Sequence, residues 1–202
     1  MADESELKFE IKDYRALVKK ILGISKFKSS AYEITVMYDE GKKLFEKDAR
    51  LRLRRKVDIK TNEEETEISY KKPKTREGIK IEEEYETSVG SFNEIKEILE
   101  NIGFSKVSSY ERIRDTFEKD GLKITIDSFP FGDYLEVEGE IEAIKKFADE
   151  FGLKMEDNIT KACDDIYYDI QTEKGEEVSD HILFENKEAI EHQKKKRSAI
   201  FQ

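Results

Sequence analysis

Arg50, Arg52, Arg54 and Lys56 recur at every second position of ARLRLRRKV, residues 49–57. In an extended chain that spacing points all four cations to one side and leaves Leu51 and Leu53 on the other. Arg112 and Arg114 repeat the arrangement beside Tyr110 in residues 106–117. Acids show the same spacing elsewhere: Glu4 and Glu6 near the start, Glu82, Glu84 and Glu86 after Lys80, and Glu136 and Glu138 in YLEVEG. Guanidinium forks grip phosphate oxygens in pairs, and lysine adds a compact point charge. Paired carboxylates are hard oxygen donors of the kind Mg²⁺ and Mn²⁺ take together with phosphate and water. Cations and anions sorted by segment are therefore the two halves of a polyphosphate and metal site.

The elements that must carry these residues alternate with period two, the strand signature. Eight such stretches occur: residues 4–12, 29–38, 49–57, 66–71, 79–87, 106–117, 122–128 and 134–139. Pro73 is expected to end the fourth or to place it at an edge. Amphipathic patterns at 13–22, capped by Asp13 and stopped by Gly23, at 91–101 after Ser91, and at 141–151 predict helices. A shorter helix is expected over 159–169, and a turn or short helix around 42–47. Many strands at short spacing favour an α+β fold built on an eight-stranded antiparallel closed β-barrel, with helices packed outside. With apolar faces outward under the helices, the charged faces enclose a polar tunnel. Like charges buried there without partners would cost several kcal/mol each, so the tunnel must be wet or filled by counter-charges. Residues 1–172 read as one domain. Residues 173–202, ending in EHQKKKRSAIFQ, read as a charged tail, helical or disordered.

Bulk properties narrow the function classes. A formal net charge of −10 disfavours a nucleic-acid partner, although 37 Lys and Arg residues remain to be placed. No run approaches the ~20 apolar residues of a membrane span, and the acidic start is unlike a signal peptide. The lone Cys163 fits a reducing compartment, so a cytoplasmic protein, monomer or homodimer, is expected. His181 and His192 are too isolated to suggest zinc, and the KKKR run at 194–197 reads as solvated tail.

In order along the chain, Glu4-Ser5-Glu6-Leu7-Lys8 resembles the ExExK signature of the CYTH family, the triphosphate tunnel metalloenzymes. Arg50-Leu51-Arg52-Leu53-Arg54, Ser69-Tyr70-Lys71, Glu84-Tyr85-Glu86, Arg112-Ile113-Arg114, Asp127 and Glu136-Val137-Glu138 resemble its later strands. The resemblance covers roughly residues 4–170. It implies a small-molecule triphosphate substrate, with Mg²⁺ or Mn²⁺ as cofactor. Glu4, Glu6, Asp127, Glu136 and Glu138 would be the metal-side carboxylates. Lys8, Arg52, Arg54, Lys71, Arg112 and Arg114 would hold phosphate; Lys8, Arg52, Arg54 and Lys71 would also be catalytic. Lys74, past Pro73, is a further candidate, and Tyr38 is a candidate for the tunnel mouth. Lys72 and Pro73 after the strand-four lysine, arginine at both basic positions of the sixth strand, and KACDDIYYDI near the end depart from the family pattern. Hydrolysis of the terminal phosphate is the leading reading, with cyclic AMP formation as in class IV adenylyl cyclases the alternative. A non-catalytic polyphosphate binder and an acidic β-rich interaction domain are the non-enzymatic readings. Removing Arg52 is expected to relieve like-charge repulsion in the empty tunnel.

Overall fold

The computed structural model describes residues 2–75 and 79–201, with side chains from Ser5 onward. Nine strands form: β1 Ala2–Ile11, β2 Lys26–Asp39, β3 Arg50–Asp58, β4 Glu64–Thr75, β5 Lys80–Val89, β6 Ser105–Lys119, β7 Leu122–Phe129, β8 Gly132–Glu138 and β9 His181–Ile182. The order is β2-β3-β4-β5-β1-β8-β7-β6, and a β2–β6 pairing closes these eight into a barrel, every neighbour antiparallel. The expected closed barrel is thus the observed fold.

Five helices surround or cap it: α1 Tyr14–Leu22, α2 Phe92–Asn101, α3 Ile141–Phe151, α4 Cys163–Lys174 and α5 Lys187–Ser198. Asp13 and Ser91 cap α1 and α2 as their side-chain types require, accepting from Ala16 N and Glu94 N. Val18, Ile21, Ile144 and Phe147 of α1 and α3 bury the outer faces of β1, β8, β7 and β6, among them Leu7, Leu135, Ile124 and Phe117. Leu99 of α2 covers Val36, Tyr38 and Leu53 on β2 and β3. Period-two alternation then leaves Glu6, Lys8, Arg52, Arg112 and Glu136 pointing inward. One end of the interior is bordered by an apolar cluster, where Ile166 of α4 and Ile182 of β9 meet Met37, Tyr110, Phe129 and Tyr134.

Of the two alternatives for Pro73, the edge position is the one observed: β4 does not end there but runs on to Thr75 through a register irregularity, past its last pair with β3. Pairing with β3 stops at Arg50–Lys71, so the missing proline N–H leaves no ladder bond unmade. The stretch after Gly175 takes the helical alternative in α5, but the KKKR run within it is not simply solvated. β9 adds to β6 in parallel at Ser109 and Tyr110, and α5 lies against the barrel. Arg197, from the KKKR run, is 1% exposed. It donates to Asp115 at 3.0 Å and to Ser128 Oγ at 2.7 Å, while Tyr14 and Ser30 also donate to Asp115. Phe201 stacks on Phe27 at 4.2 Å. Charge count hid this segment, because its apolar contacts are few and widely spaced. Among the described residues no helix is long and apolar enough to cross a membrane.

Arg197→Ala should strand Asp115 in a fully buried position and destabilise the barrel by about 3–5 kcal/mol. Urea unfolding should show a lower midpoint for Arg197→Ala and a smaller loss for Asp115→Asn combined with Arg197→Met. Equal midpoints for Arg197→Ala and wild type would mean that the pair holds nothing together.

Candidate functional site

The inward faces enclose a cavity of about 340 Å³. Among the described residues, ten acidic and ten basic side chains line it, so the walls balance internally. The pairing follows strand register. Lys80 lies opposite Glu6, Lys8 opposite Glu136, Lys71 opposite Glu84, Lys123 opposite Glu138 and Arg114 opposite Asp127. Each is also an ion pair: 2.9 Å for Lys80–Glu6, 3.2 Å for Lys8–Glu136, 2.6 Å for Lys71–Glu84 and 2.9 Å for Lys123–Glu138.

The basic wall is held by buried acids. Arg112 Nε donates to Glu33 at 2.7 Å and its Nη1 to Asp127 at 2.9 Å. Arg114 reaches both Asp127 oxygens, at 2.6 and 2.5 Å, and also Glu136. Arg54 donates to Thr35, Tyr110 and Glu67 at 3.0, 3.0 and 3.3 Å. Arg52 lies among Glu67, Glu84 and Glu86, and Lys56 also pairs with Glu67. Burial would raise the Glu33 pKa, but Arg112 and Arg54 outweigh it and hold this carboxyl well below the usual range. Burial would likewise lower Lys8, yet Glu136 and Glu6 keep its pKa raised. Burial pushes the nearby Cys163 thiol up to about 11.

Some donors and acceptors are left over. Arg50 Nε, Arg52 Nε, Ser69 Oγ and Thr125 Oγ1 are buried and have no hydrogen-bond partner among the described residues. All four belong to inward positions, the first three on adjacent strands β3 and β4, with Arg52 directly opposite Ser69. Buried polar atoms are normally satisfied, so such a group of donors is what an anion would complete.

The cavity unites nine sequence-predicted residues: Lys8, Arg52, Arg54, Lys71, Arg112, Arg114, Glu6, Glu136 and Glu138. Asp127 stands behind that wall, fully buried, with its oxygens on the two arginines. Lys74 is exposed at the end of β4 and is not part of the lining. The Glu4 side chain lies outside the described residues. Tyr38 packs in the outer cluster under α2, its edge reaching a second cavity at the α4 end. Arg50 and Lys80, placed on charged faces but given no site role, also line the tunnel, as do Glu33 and Glu67, which the sequence reading did not single out. Glu33 was detectable in principle as the sole charge in SSAYEITVMY, on the phase that faces inward. The expected relief on losing Arg52 is reversed, because three carboxylates surround this arginine.

Glu6 and Glu138 face each other across the β1–β8 ladder, where unscreened carboxylates would repel. Their hard oxygen donors, with Glu136 two pairs along on the same face, fit the chemistry of Mg²⁺ or Mn²⁺. Among the described residues no three acids, histidines or cysteines are already gathered around one metal point.

The sequence matches the CYTH domain over residues 2–163. A curated relative, the putative adenylate cyclase MJ0240 of Methanocaldococcus jannaschii, is 26% identical over 146 residues, covering 71% of this chain and 80% of the relative. The fold resembles a putative adenylate cyclase from Vibrio parahaemolyticus at 20% identity and a TM-score of 0.71, covering 81% of this chain and 96% of that one. It also resembles Hippeastrum HpAC1, described as a putative adenylyl cyclase with a dominant triphosphatase activity. That match has 16% identity and a TM-score of 0.58, covering 89% and 99% of the two chains.

Because its folded pKa is depressed, Glu33 contributes stability in full above its ordinary value of 4.5 and loses it as pH falls below. Glu33→Gln should cost about 3 kcal/mol at pH 7. Thermal unfolding between pH 7 and pH 3 should show the gap between the two proteins closing in the acid range. A gap that stays constant would mean that the Arg112 and Arg54 contacts do not depend on the Glu33 charge.

Proposed function

The chain belongs to the CYTH domain family, and on that footing we propose that it hydrolyses the terminal phosphate of a triphosphate in a divalent-metal-dependent reaction. The observation that carries this reading is the set of orphaned buried donors on β3 and β4, set in a wall of arginines. A linear polyanion would satisfy Arg50, Arg52 and Ser69 at once and compete with Glu84 and Glu86 for the Arg52 guanidinium group.

Arg52, Arg54, Arg112 and Arg114 would take up phosphate oxygens, with Lys8 and Lys71 neutralising the chain at the edges of that wall. Glu33, Glu67 and Asp127 would keep the arginines aimed inward while phosphate binds. Water attacks the terminal phosphorus, the bridging P–O bond breaks, and diphosphate or its ester leaves with the bonding electron pair. The chain's part is alignment and stabilisation of charge on the transferring group, the main requirement of phosphoryl transfer. Glu6, Glu136 and Glu138 are the carboxylates suited to Mg²⁺ or Mn²⁺, which when bound supplies charge neutralisation and a lowered pKa for coordinated water.

The names of the relatives favour one second reading, cyclisation of ATP with release of diphosphate. A product assay separates the two. Purified protein with Mg²⁺ or Mn²⁺ should release phosphate from inorganic triphosphate, thiamine triphosphate or ATP without cyclic AMP; cyclic AMP with diphosphate would make it a cyclase. Arg52→Ala and Glu136→Ala should each lower kcat by roughly 10²–10³-fold. Normal turnover in both variants would remove the tunnel from the reaction.

A further inference from the structure

Lys80 of β5, Glu6 of β1, Glu138 of β8 and Lys123 of β7 stand in one row across four neighbouring strands. Register sets the two carboxylates side by side in the middle, with one lysine at each end. Each carboxylate is held by its own lysine, Glu6 by Lys80 at 2.9 Å and Glu138 by Lys123 at 2.9 Å. Two negative and two positive charges leave the row neutral. Two pairs along, Glu136 is taken up as well, by Lys8 at 3.2 Å and by Arg114. All three carboxylates suited to a divalent cation are thus already on side-chain cations, in keeping with the lack of a gathered metal point among the described residues. Lys80 is the most enclosed of the two lysines in the row. It is 5% exposed and also meets Glu82 at 2.7 Å, while Glu82 has a second cation in Arg50 at 2.5 Å.

We propose that Lys80 and Lys123 are resident counter-ions that hold the place of a divalent cation, so that the metal enters the tunnel only together with the polyphosphate. The proposal rests on the metal-dependent reading and specifies it. A divalent cation between Glu6 and Glu138 would add two positive charges to a neutral row, and burying that excess without an anion is costly. A polyphosphate supplies the anion. By drawing Lys8 and Arg114 onto its oxygens it also releases Glu136. Lysine suits such an exchange, because its ammonium is a compact charge on a flexible stem that can swing aside. The arginines stay in place, Arg112 held by Glu33 and Arg114 by Asp127.

The test is equilibrium dialysis of the full chain against Mn²⁺, which reads metal retained by the protein and needs no turnover. Mn²⁺ is supplied alone or with a methylene-bridged triphosphate analogue that is not hydrolysed. Lys80→Met should raise the affinity for Mn²⁺ alone by about tenfold or more, the least that one neighbouring charge does to a carboxylate's affinity for a proton. Lys123 has a side chain 49% exposed and screened by solvent, so Lys123→Met should give a smaller gain. Glu6→Gln added to Lys80→Met should erase the gain, and wild type should retain Mn²⁺ far better with the analogue than without it. Wild type that binds Mn²⁺ alone as tightly as Lys80→Met overturns the counter-ion role and leaves the metal-dependent reading standing. Should Lys80→Met fail to fold, Lys123→Met decides in its place, and an unchanged affinity for Mn²⁺ alone overturns the proposal. Retention of no Mn²⁺ by any of these proteins, even with the analogue, overturns the metal-dependent reading and this inference with it.

Discussion

Charge inside a closed barrel must be cancelled from within, and the rest of this structure follows from that. A buried ion without a partner costs several kcal/mol, so a tunnel lined by ten cations is tolerable only beside as many anions. Cross-strand pairing meets the requirement through register: Lys80 with Glu6, Lys8 with Glu136, Arg114 with Asp127. A slip of one residue in any of these strands would turn charges into the layers beneath α1 and α3 and bring leucines and isoleucines into the tunnel. Strand order and phase are thus fixed from both sides, by ion pairing inside and by apolar burial outside.

Such pairing also prepares the tunnel for an anion. The acids come in two kinds. Glu33 and Asp127 are buried and hold the arginines from behind, whereas Glu86 is 42% exposed and meets Arg52 from the lumen. On the proposed function, an entering polyanion would replace the second kind without disturbing the first. The arginines would then need little reorganisation on binding, which is the condition under which fixed charge contributes most to a transition state. Arg50 Nε, Arg52 Nε and Ser69 Oγ, which have no hydrogen-bond partner among the described residues, are the donors such a polyanion would take up.

Most of this was legible in the sequence because alternation carries it. Arg52 and Arg54, Arg112 and Arg114, and Glu136 and Glu138 declare their shared faces by spacing alone, and their order along the chain matches the family. What alternation does not carry is the partner of each charge. Glu33 stands out as a lone charge in SSAYEITVMY but its pairing with Arg112 does not, and Asp127's commitment to two arginines depends on which strands become neighbours. Pro73 was legible as an edge residue, and β3 has indeed ended at that point, but local rules did not show that β4 would continue to Thr75. The docking of the segment after Gly175 was not legible, because its anchors are single residues, Ile182, Arg197 and Phe201, too sparse to create a periodic signal.

Those sparse anchors bear on the same electrostatic problem. β6 and β7 carry Arg114 and Asp127 on the tunnel face, and the next residue of each strand, Asp115 and Ser128, points outward. Arg197 binds both outward groups, so α5 joins the two strands from outside where Arg114 and Asp127 join them from inside. Burial raises the Asp115 pKa even with Arg197 beside it, so this carboxylate is held against a real desolvation cost. The cost is tolerable only while Tyr14, Ser30 and Arg197 all donate to it, which ties α1, β2 and α5 to one point. A barrel wall charged on its inner face and clamped by a buried ion pair on its outer face has little freedom to change register. The same residues that make the tunnel expensive to bury thereby make its geometry hard to shift.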